Sequence, residues 1–155
     1  MSVHARKVTP TLLQVDAVLT RLAGAAAATE VARYVRSEFA QFRWLGIYRP
    51  GAAGLELLGD DGERPSGKEV VPVDTGIAGR TWSEGRPTLN DAVPVGSTGG
   101  VGSELAVPIA HGSGPVGVIV VTAAAPGALD ATDARLLEQV GAKLIGVVAG
   151  APPSG

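Results

Sequence analysis

The sequence predicts an α+β fold in which helices flank a central antiparallel β-sheet. Apolar residues recur at helical spacing near both ends of the chain, and short segments rich in β-branched and aromatic residues lie between them. Some of these segments are separated only by glycine-containing turns, which is typical of hairpins and therefore of antiparallel pairing. With 155 residues, 45% of them hydrophobic and 18% charged, the chain is long enough for one domain with a sizeable core.

The amino-terminal part is predicted to form two helices. The first covers residues 11–22, where apolar residues follow the 3-4-3 spacing of a buried helical stripe. These residues are Leu12, Val15, Leu19 and Leu22. Gly24 is expected to end this helix. A second helix is predicted from Thr29, a favourable N-cap residue, to Phe39.

A change of spacing marks the sheet. Residues that favour β-structure are concentrated in six segments, at residues 42–49, 55–58, 68–73, 86–89, 103–110 and 115–123. A short helix is predicted over residues 75–84 and is ended by Gly85. Residues 60–67 are predicted as a polar loop, and residues 91–102 as a loop dense in glycine.

The last element is predicted as a helix that follows Asp130. Asp130 is a candidate N-cap, and Asp133, three residues later, allows a capping box with an acid in place of Glu or Gln. Its apolar residues repeat the 3-4-3 spacing, at Leu137, Val140, Leu144 and Val147. The elements together predict a single domain over residues 10–150, with frayed termini at residues 1–9 and 151–155.

Charge and composition exclude several classes of function. The formal net charge is −2 and no basic stripe is present, so nucleic acid is not an expected partner. The longest apolar stretch, residues 114–125, is too short to cross a bilayer, and we expect neither a signal peptide nor a membrane partner. The sequence has no cysteine, which excludes disulfides and cysteine nucleophiles and is compatible with a cytoplasmic location.

Several polar groups are interpreted as structural. His4 and His111 stand far apart, so no metal site and no cofactor are predicted. The acidic residues 60, 61 and 63 are interpreted as a solvated turn. The stretch at 96–102 lacks the Gly-Lys-Ser/Thr ending of a phosphate-binding loop and precedes a strand, so it is interpreted as a lid or a plain loop.

Four segments carry a resemblance when they are taken in order. They are residues 42–48, residues 76–85 with Pro87 and Asn90-Asp91 after them, residues 103–109, and residues 117–121 followed by Leu129-Asp130. In this order they resemble the GAF domain family. The resemblance implies an antiparallel sheet of five or six strands, with the terminal helices packed on one face and a ligand pocket on the other.

The segments are also similar to those of the free methionine-R-sulfoxide reductases, which are GAF proteins. Two aromatic residues and one acid of those enzymes are matched at Trp44, Tyr48 and Glu104. Their two cysteines and two aspartates are unmatched, and the corresponding positions are Ala78, Ser97, Val120 and Thr122. Reduction of a sulfoxide by cysteine chemistry needs a thiolate that attacks sulfur and a second thiol that resolves the product, so no catalytic residue is predicted.

The implied pocket gives a set of candidate ligand-binding residues, namely Trp44, Tyr48, Trp82, Asn90, Asp91, Ser103 and Glu104. Alternation along a strand points Trp44, Gly46 and Tyr48 to the same face. The two aromatic residues either wall a pocket, with room at Gly46, or are ordinary core residues. Trp82 either closes the pocket or covers the sheet.

The polar candidates also have structural interpretations. Glu104 either receives a ligand ammonium group or makes a local hydrogen bond, and the local bond is favoured because buried polar groups are usually satisfied nearby. Asn90 and Asp91 either contact a ligand or set a turn, and the turn is favoured.

The leading hypothesis is a stand-alone sensory or regulatory domain that binds a small molecule of unknown identity. Its signal is expected to pass through a partner protein or a homodimer, because the stripes of the amino- and carboxy-terminal helices suit helix–helix packing. The stripes equally allow each helix to cover its own sheet. The alternative functions are a dimerisation module with an empty pocket and, last, an enzyme that uses chemistry without thiols.

Overall fold

The computed structural model describes residues 3–95 and 100–149, and these form five helices and six strands. In chain order the elements are α1 (Val3–Arg21), α2 (Gly24–Glu38), β1 (Trp44–Gly51), β2 (Gly54–Gly62), β3 (Val70–Val71), α3 (Gly76–Glu84), β4 (Thr88–Val95), β5 (Gly100–His111), β6 (Gly114–Ala123), α4 (Ala131–Lys143) and α5 (Ile145–Val148). Ser97 and the tail at 151–155 lie outside the described residues.

The six strands form one antiparallel sheet in the order β3-β2-β1-β6-β5-β4. Two hairpins, β1–β2 and β5–β6, are joined in the centre by pairing between β1 and β6. The predicted α+β fold with an antiparallel sheet of five or six strands is therefore confirmed.

The larger part of the core lies between one face of the sheet and the helices other than α3. Alternate residues of the central strands point into it, among them Leu45, Ile47, Leu105, Val107, Ile119 and Val121. Helix α2 packs on β2 and α4 packs on β5, while α1 packs against α2 and α4. The terminal helices thus lie on one face, as predicted.

The opposite face of the sheet is covered by α3, and the loop before β3 reaches this face through Lys68, which contacts Tyr48 and Glu104. A second, smaller cluster of buried residues lies here: Trp44, Tyr48, Leu55, Val71, Ala78, Ala106, Val118 and Val120. Helix α3 ends as predicted at Gly85, which adopts a left-handed conformation with φ of 68°. We call this side of the sheet, with its smaller cluster of buried residues, the α3 face.

Both amino-terminal helices begin earlier than predicted. Helix α1 begins at Val3 and continues through Pro10, so residues 3–9 are helical and not frayed. Tertiary contacts hold these turns, because Lys7 Nζ donates to the carbonyl of Glu38 over 2.7 Å and Val8 packs on the core. Helix α2 begins at Gly24 and not at Thr29, since residues 25–28 are alanines, the strongest helix formers.

The strands also differ from the predicted boundaries. Strand β3 is only two residues long, because Pro72 follows it and cannot donate to the ladder. The predicted loop at 91–102 instead contains the ends of β4 and β5, which pair from Val93–Gly102 to Val95–Gly100. The hydrogen bonds of an antiparallel ladder come from the backbone, so they compensate for the low β-propensity of glycine.

The apolar stripes of the terminal helices are used inside the domain. Val15, Leu137, Val140 and Leu144 are buried in the main core, and the remaining members pack against it. This arrangement agrees with the second interpretation of the stripes, in which each helix covers its own sheet. The capping box at Asp130 and Asp133 is confirmed. None of the described helices is long and apolar enough to cross a membrane.

Candidate functional site

Strand register brings several of the predicted site residues onto the α3 face. Trp44 pairs with Thr122, Thr122 pairs with Glu104, and Glu104 pairs with Asn90. Residues that are paired in this way point to the same face, so the four side chains form a row across strands β1, β6, β5 and β4. This row, with Tyr48 two positions beyond Gly46, is the candidate site.

Trp44 and Tyr48 are fully buried on the α3 face. Their rings meet edge to face, with centroids 6.5 Å apart and planes at 74°. The indole of Trp44 lies over Gly46, where an added Cβ would stand 2.5 Å from two ring carbons. The space that Gly46 leaves is therefore occupied by Trp44 itself.

The indole N–H of Trp44 has an internal partner. It donates to Asp60 Oδ2 over 2.8 Å, and Arg64 donates to both oxygens of the same carboxylate. The hydrogen bonds from Arg64 first, and then from Trp44, lower the pKa of Asp60 below its usual value, although partial burial opposes this. Asp60 was predicted to lie in a solvated turn, but it is part of β2 and supports the aromatic pair.

Tyr48 and Glu104 are joined through one residue of the loop before β3. The hydroxyl of Tyr48 donates to the carbonyl oxygen of Lys68 over 2.5 Å, and Lys68 Nζ lies 2.8 Å from Glu104 Oε2. Burial first, and then the negative charge of Glu104, raise the pKa of Tyr48, so its hydroxyl stays a donor near neutral pH. Glu104 is only 8% exposed.

Ser103 does not belong to this site. It precedes Glu104 in β5 and points to the opposite face, where its hydroxyl donates to the carbonyl of Ala125 over 2.9 Å. Strand alternation places neighbouring residues on opposite faces, so Ser103 and Glu104 cannot both face one pocket across the sheet.

The remaining candidates lie near the site without entering its buried part. Trp82 is partly buried and packs against the aromatic cluster from α3. Asn90 is exposed at the β4 end of the row. Asp91 accepts a hydrogen bond from the backbone N–H of Gly127 over 2.8 Å, so it fixes the approach to α4.

An open cleft of about 680 Å³ adjoins the exposed end of the row. It lies between the beginning of α3 and strand β4, and its lining includes Thr75, Ile77, Arg80, Thr88 and Asn90. The volume is in the range of small-molecule sites. The site therefore has a closed part, around Trp44 and Tyr48, and an open part, around Asn90.

Lys68, Asp60 and Arg64 were not predicted as site residues. Lys68 and Arg64 lie in the loop between β2 and β3, and Asp60 lies near the end of β2, so neither helical nor strand spacing points to them. Among the described residues, every buried side-chain nitrogen or oxygen has a hydrogen-bond partner. In the same part of the chain, no group of three or more histidine or acidic side chains is placed to hold a metal ion.

The chain has a curled antiparallel sheet with the terminal helices on one face. A short helix covers an aromatic and polar site on the other face. Together these features place the chain in a class of small α+β domains. The chain belongs to the GAF domain family, whose sequence profile matches residues 23–145. No curated protein sequence matches the chain.

Solved structures with the same fold include enzymes and sensor domains. A free methionine-R-sulfoxide reductase from Neisseria meningitidis, in complex with its substrate, has a TM-score of 0.81 and 20% identity, covering 100% of this chain and 96% of that chain. A putative GAF sensor protein from Burkholderia vietnamiensis has a TM-score of 0.79 and 17% identity, covering 96% of both chains. The GAF domain of an Acinetobacter phosphoenolpyruvate-protein phosphotransferase has a TM-score of 0.75 and 18% identity, covering 96% of this chain and 95% of that chain.

Three of the four positions that correspond to unmatched reductase residues lie at the same site. Ala78 and Val120 belong to the buried cluster on the α3 face, and Thr122 lies in the row between Trp44 and Glu104. Ser97 is outside the described residues. At these three described positions the chain therefore carries small, apolar or neutral residues, and the thiol and carboxylate groups of the reductases that it resembles are unmatched there.

Proposed function

We propose that this chain is a sensory or regulatory GAF domain that binds a small molecule on the α3 face. The observation that carries the proposal is the buried Glu104, which lies in one row with Thr122 and Trp44 next to the apolar cluster of the α3 face. Glu104 is also linked to Tyr48 through Lys68. An apolar surface with a few well-placed polar groups is the usual composition of a ligand pocket. A carboxylate in such a place favours a ligand that carries an ammonium or another cationic group.

The ligand has two places to occupy. Its polar end reaches Glu104, and the rest extends past Asn90 into the open cleft of about 680 Å³. Trp82 and the beginning of α3 border this path. Entry to the buried part requires the loop around Lys68 to move, because Trp44 and Tyr48 have no exposed surface in the closed arrangement.

A dimerisation module with an empty pocket is the second candidate. It is favoured by the complete burial of Trp44 and Tyr48 and by the internal partners of their polar atoms. In either function we propose that the signal passes through a homodimer or a partner protein. Because the apolar stripes are buried, we place the homodimer contact on the outer surface of α1, where Leu13 is 64% exposed.

We do not propose thiol-dependent reduction of methionine sulfoxide. The chain has no cysteine, and a hydroxyl group does not replace a thiolate in attack on sulfur. An enzyme that uses other chemistry remains the third candidate, and turnover of a substrate by the pure protein is the result that favours it.

Native mass spectrometry of the protein purified from cells tests the proposal. We expect a species that carries extra mass under gentle conditions and loses it under denaturing conditions. The Glu104→Gln variant removes the charge at the site and is expected to lose the added mass, whereas Glu138→Gln, at an exposed position on α4, is expected to keep it.

The dimerisation module is favoured by a different result. If no added mass is found and no compound in a panel of cationic metabolites raises the melting temperature, the ligand-binding proposal is wrong. If Glu104→Gln keeps the added mass as fully as Glu138→Gln does, the ligand does not depend on Glu104 and lies elsewhere.

A further inference from the structure

We propose that residues 63–69 form a lid over the aromatic pair and that Lys68 is its latch, an internal occupant that a ligand must displace. The ligand-related part of this inference rests on the proposed function, but the lid itself does not. The inference comes from one feature of the site. Both polar groups that Tyr48 and Glu104 present on the α3 face are engaged by a single residue, Lys68.

The two contacts of Lys68 are different in kind. Its backbone carbonyl accepts the Tyr48 hydroxyl over 2.5 Å, which fixes the position of the loop over β1. Its ammonium group reaches across to Glu104 Oε2 over 2.8 Å, on strand β5. The side chains of Lys68 and Glu104 are 22% and 11% exposed, so this ion pair is better shielded from water than the other lysine pair described, Lys143–Asp16, at 37% and 47%.

The rest of the segment is attached mainly at its two ends. At one end, the backbone N–H of Glu63 donates to the carbonyl of Arg43 over 3.2 Å. At the other, the carbonyl of Glu69 accepts the N–H of Leu57 over 2.9 Å, just before β3. Arg64 connects Asp60 with Glu69 on the outer side. Between these attachments Gly67 adopts a φ of 75°, and a segment fastened in this way can move as a unit.

The latch gives the lid a specific energetic role. Breaking a shielded ion pair by removing one partner leaves the other charge partly buried and uncompensated, which favours the open arrangement. A cationic ligand supplies the charge that Lys68 supplies in the closed state, so opening and binding are coupled. The apparent affinity equals the intrinsic affinity multiplied by the fraction of molecules that are open, so a lid that is mostly closed weakens binding. Removal of Lys68 is therefore expected to strengthen ligand binding, whereas removal of a direct ligand contact weakens it.

Single-cysteine reporters measure opening without a ligand, because the natural chain has no cysteine. Thr122→Cys places a thiol in the row between Trp44 and Glu104, where Thr122 is 3% exposed. Val121→Cys places a thiol one residue earlier, on the helix side of the same strand. The measured quantity is the rate at which DTNB reacts with each thiol in native protein.

We expect Lys68→Gln to raise the DTNB rate at Thr122→Cys by about tenfold and to leave the rate at Val121→Cys unchanged. Glu104→Gln is expected to give the same increase, and the double variant no further increase, since both changes break one contact. Lys143→Gln removes the exposed pair with Asp16 and serves as the control, with both rates unchanged.

The results that overturn the lid are equally specific. An unchanged rate at Thr122→Cys shows that Lys68 does not control access to the α3 face. An equal increase at both thiols shows global loss of stability and not local opening. If a reporter variant does not fold, quenching of Trp44 fluorescence by acrylamide in a Trp82→Phe background replaces it. The same three variants, Lys68→Gln, Glu104→Gln and Lys143→Gln, are then compared. If the lid opens as expected but native mass spectrometry and the melting-temperature panel find no ligand, the lid is supported and only the proposed function is contradicted.

Discussion

At the scale of single residues, Gly46 determines how Trp44 is placed. A Cβ at this position would lie 2.5 Å from two ring carbons of Trp44 and 3.0 Å from Leu57. The indole is fully buried, and its N–H is fixed by Asp60, so the ring has little freedom to withdraw. The absence of a side chain at Gly46 is therefore a packing requirement of the aromatic pair.

Gly46→Ala is accordingly expected to destabilise the protein by about 1–3 kcal/mol, the usual cost of overpacking a filled core. Urea unfolding followed by tryptophan fluorescence measures this change. Gly146→Ala is the matched control, because a Cβ at Gly146 meets no atom within 4 Å and alanine favours a helix. Equal stability of the two variants contradicts the proposed packing of Trp44 over Gly46.

The residues of the site differ in how well the sequence predicts them. Trp44, Tyr48 and Glu104 lie on strands, and period-two alternation together with the order of the strands is sufficient to bring them to one face. Lys68 and Asp60 reach the site from a loop and a strand end, where no period indicates direction. Ser103 was predicted as a pocket residue together with Glu104, although strand alternation places the two side chains on opposite faces.

At the scale of elements, the local sequence at the beginning of α4 is sufficient by itself to predict where and how this helix begins. The side chain of Asp130 accepts hydrogen bonds from the backbone N–H groups of Thr132 and Asp133, and Asp133 accepts one from the backbone N–H of Asp130. These bonds satisfy donors that have no partner within the helix. The spacing of the two aspartates predicted this arrangement.

Asp130→Ala is expected to lower the free energy of unfolding by about 1 kcal/mol, since alanine cannot accept these hydrogen bonds. Asp130→Asn keeps an acceptor oxygen and is expected to retain most of the stability, because asparagine is as good an N-cap as aspartate. Urea unfolding of both variants makes the comparison. If asparagine is as damaging as alanine, the charge matters more than the hydrogen bonds of the cap.

Element boundaries were less predictable where tertiary contacts or long-range pairing decide them. Helix α1 begins at Val3 because Lys7 and Val8 contact α2 and the core, which no local pattern reveals. The ends of β4 and β5 are strands because they pair with each other, although glycine-rich sequence there predicts a loop. Spacing identified which elements exist, and contacts between elements set where they end.

At the scale of the whole molecule, the two faces of the sheet differ in how much of the core they contain and in which polar groups they carry. The helix face contains the larger core and uses the apolar stripes of α1 and α4 within the domain. The α3 face has a smaller core and carries the aromatic pair, the Lys68–Glu104 ion pair and the open cleft. A ligand bound as proposed would therefore act on the face that contributes less to the core. Its effect would reach the terminal helices through the strands that both faces share.

This division restricts where a homodimer can form. A dimer built on the buried stripes would have to unpack the main core, so the contact proposed here uses the outer surface of α1 around Leu13, which is 64% exposed. The wild-type protein is expected to show a concentration-dependent dimer by sedimentation velocity. Leu13→Asp places a charge in that contact and is expected to give a folded monomer, whose melting temperature equals that of the wild-type protein at concentrations where the wild type is also monomeric.

Leu89→Asp is the control for this experiment, because Leu89 is exposed to a similar degree, 46%, but lies on strand β4. It is expected to leave the dimer intact. A wild-type protein that is monomeric at all concentrations removes the homodimer and leaves a separate partner protein as the route of the signal. A dimer that Leu89→Asp disrupts and Leu13→Asp does not places the contact at the edge of the sheet. The signal would then pass through β4, directly beside the open cleft and Asn90.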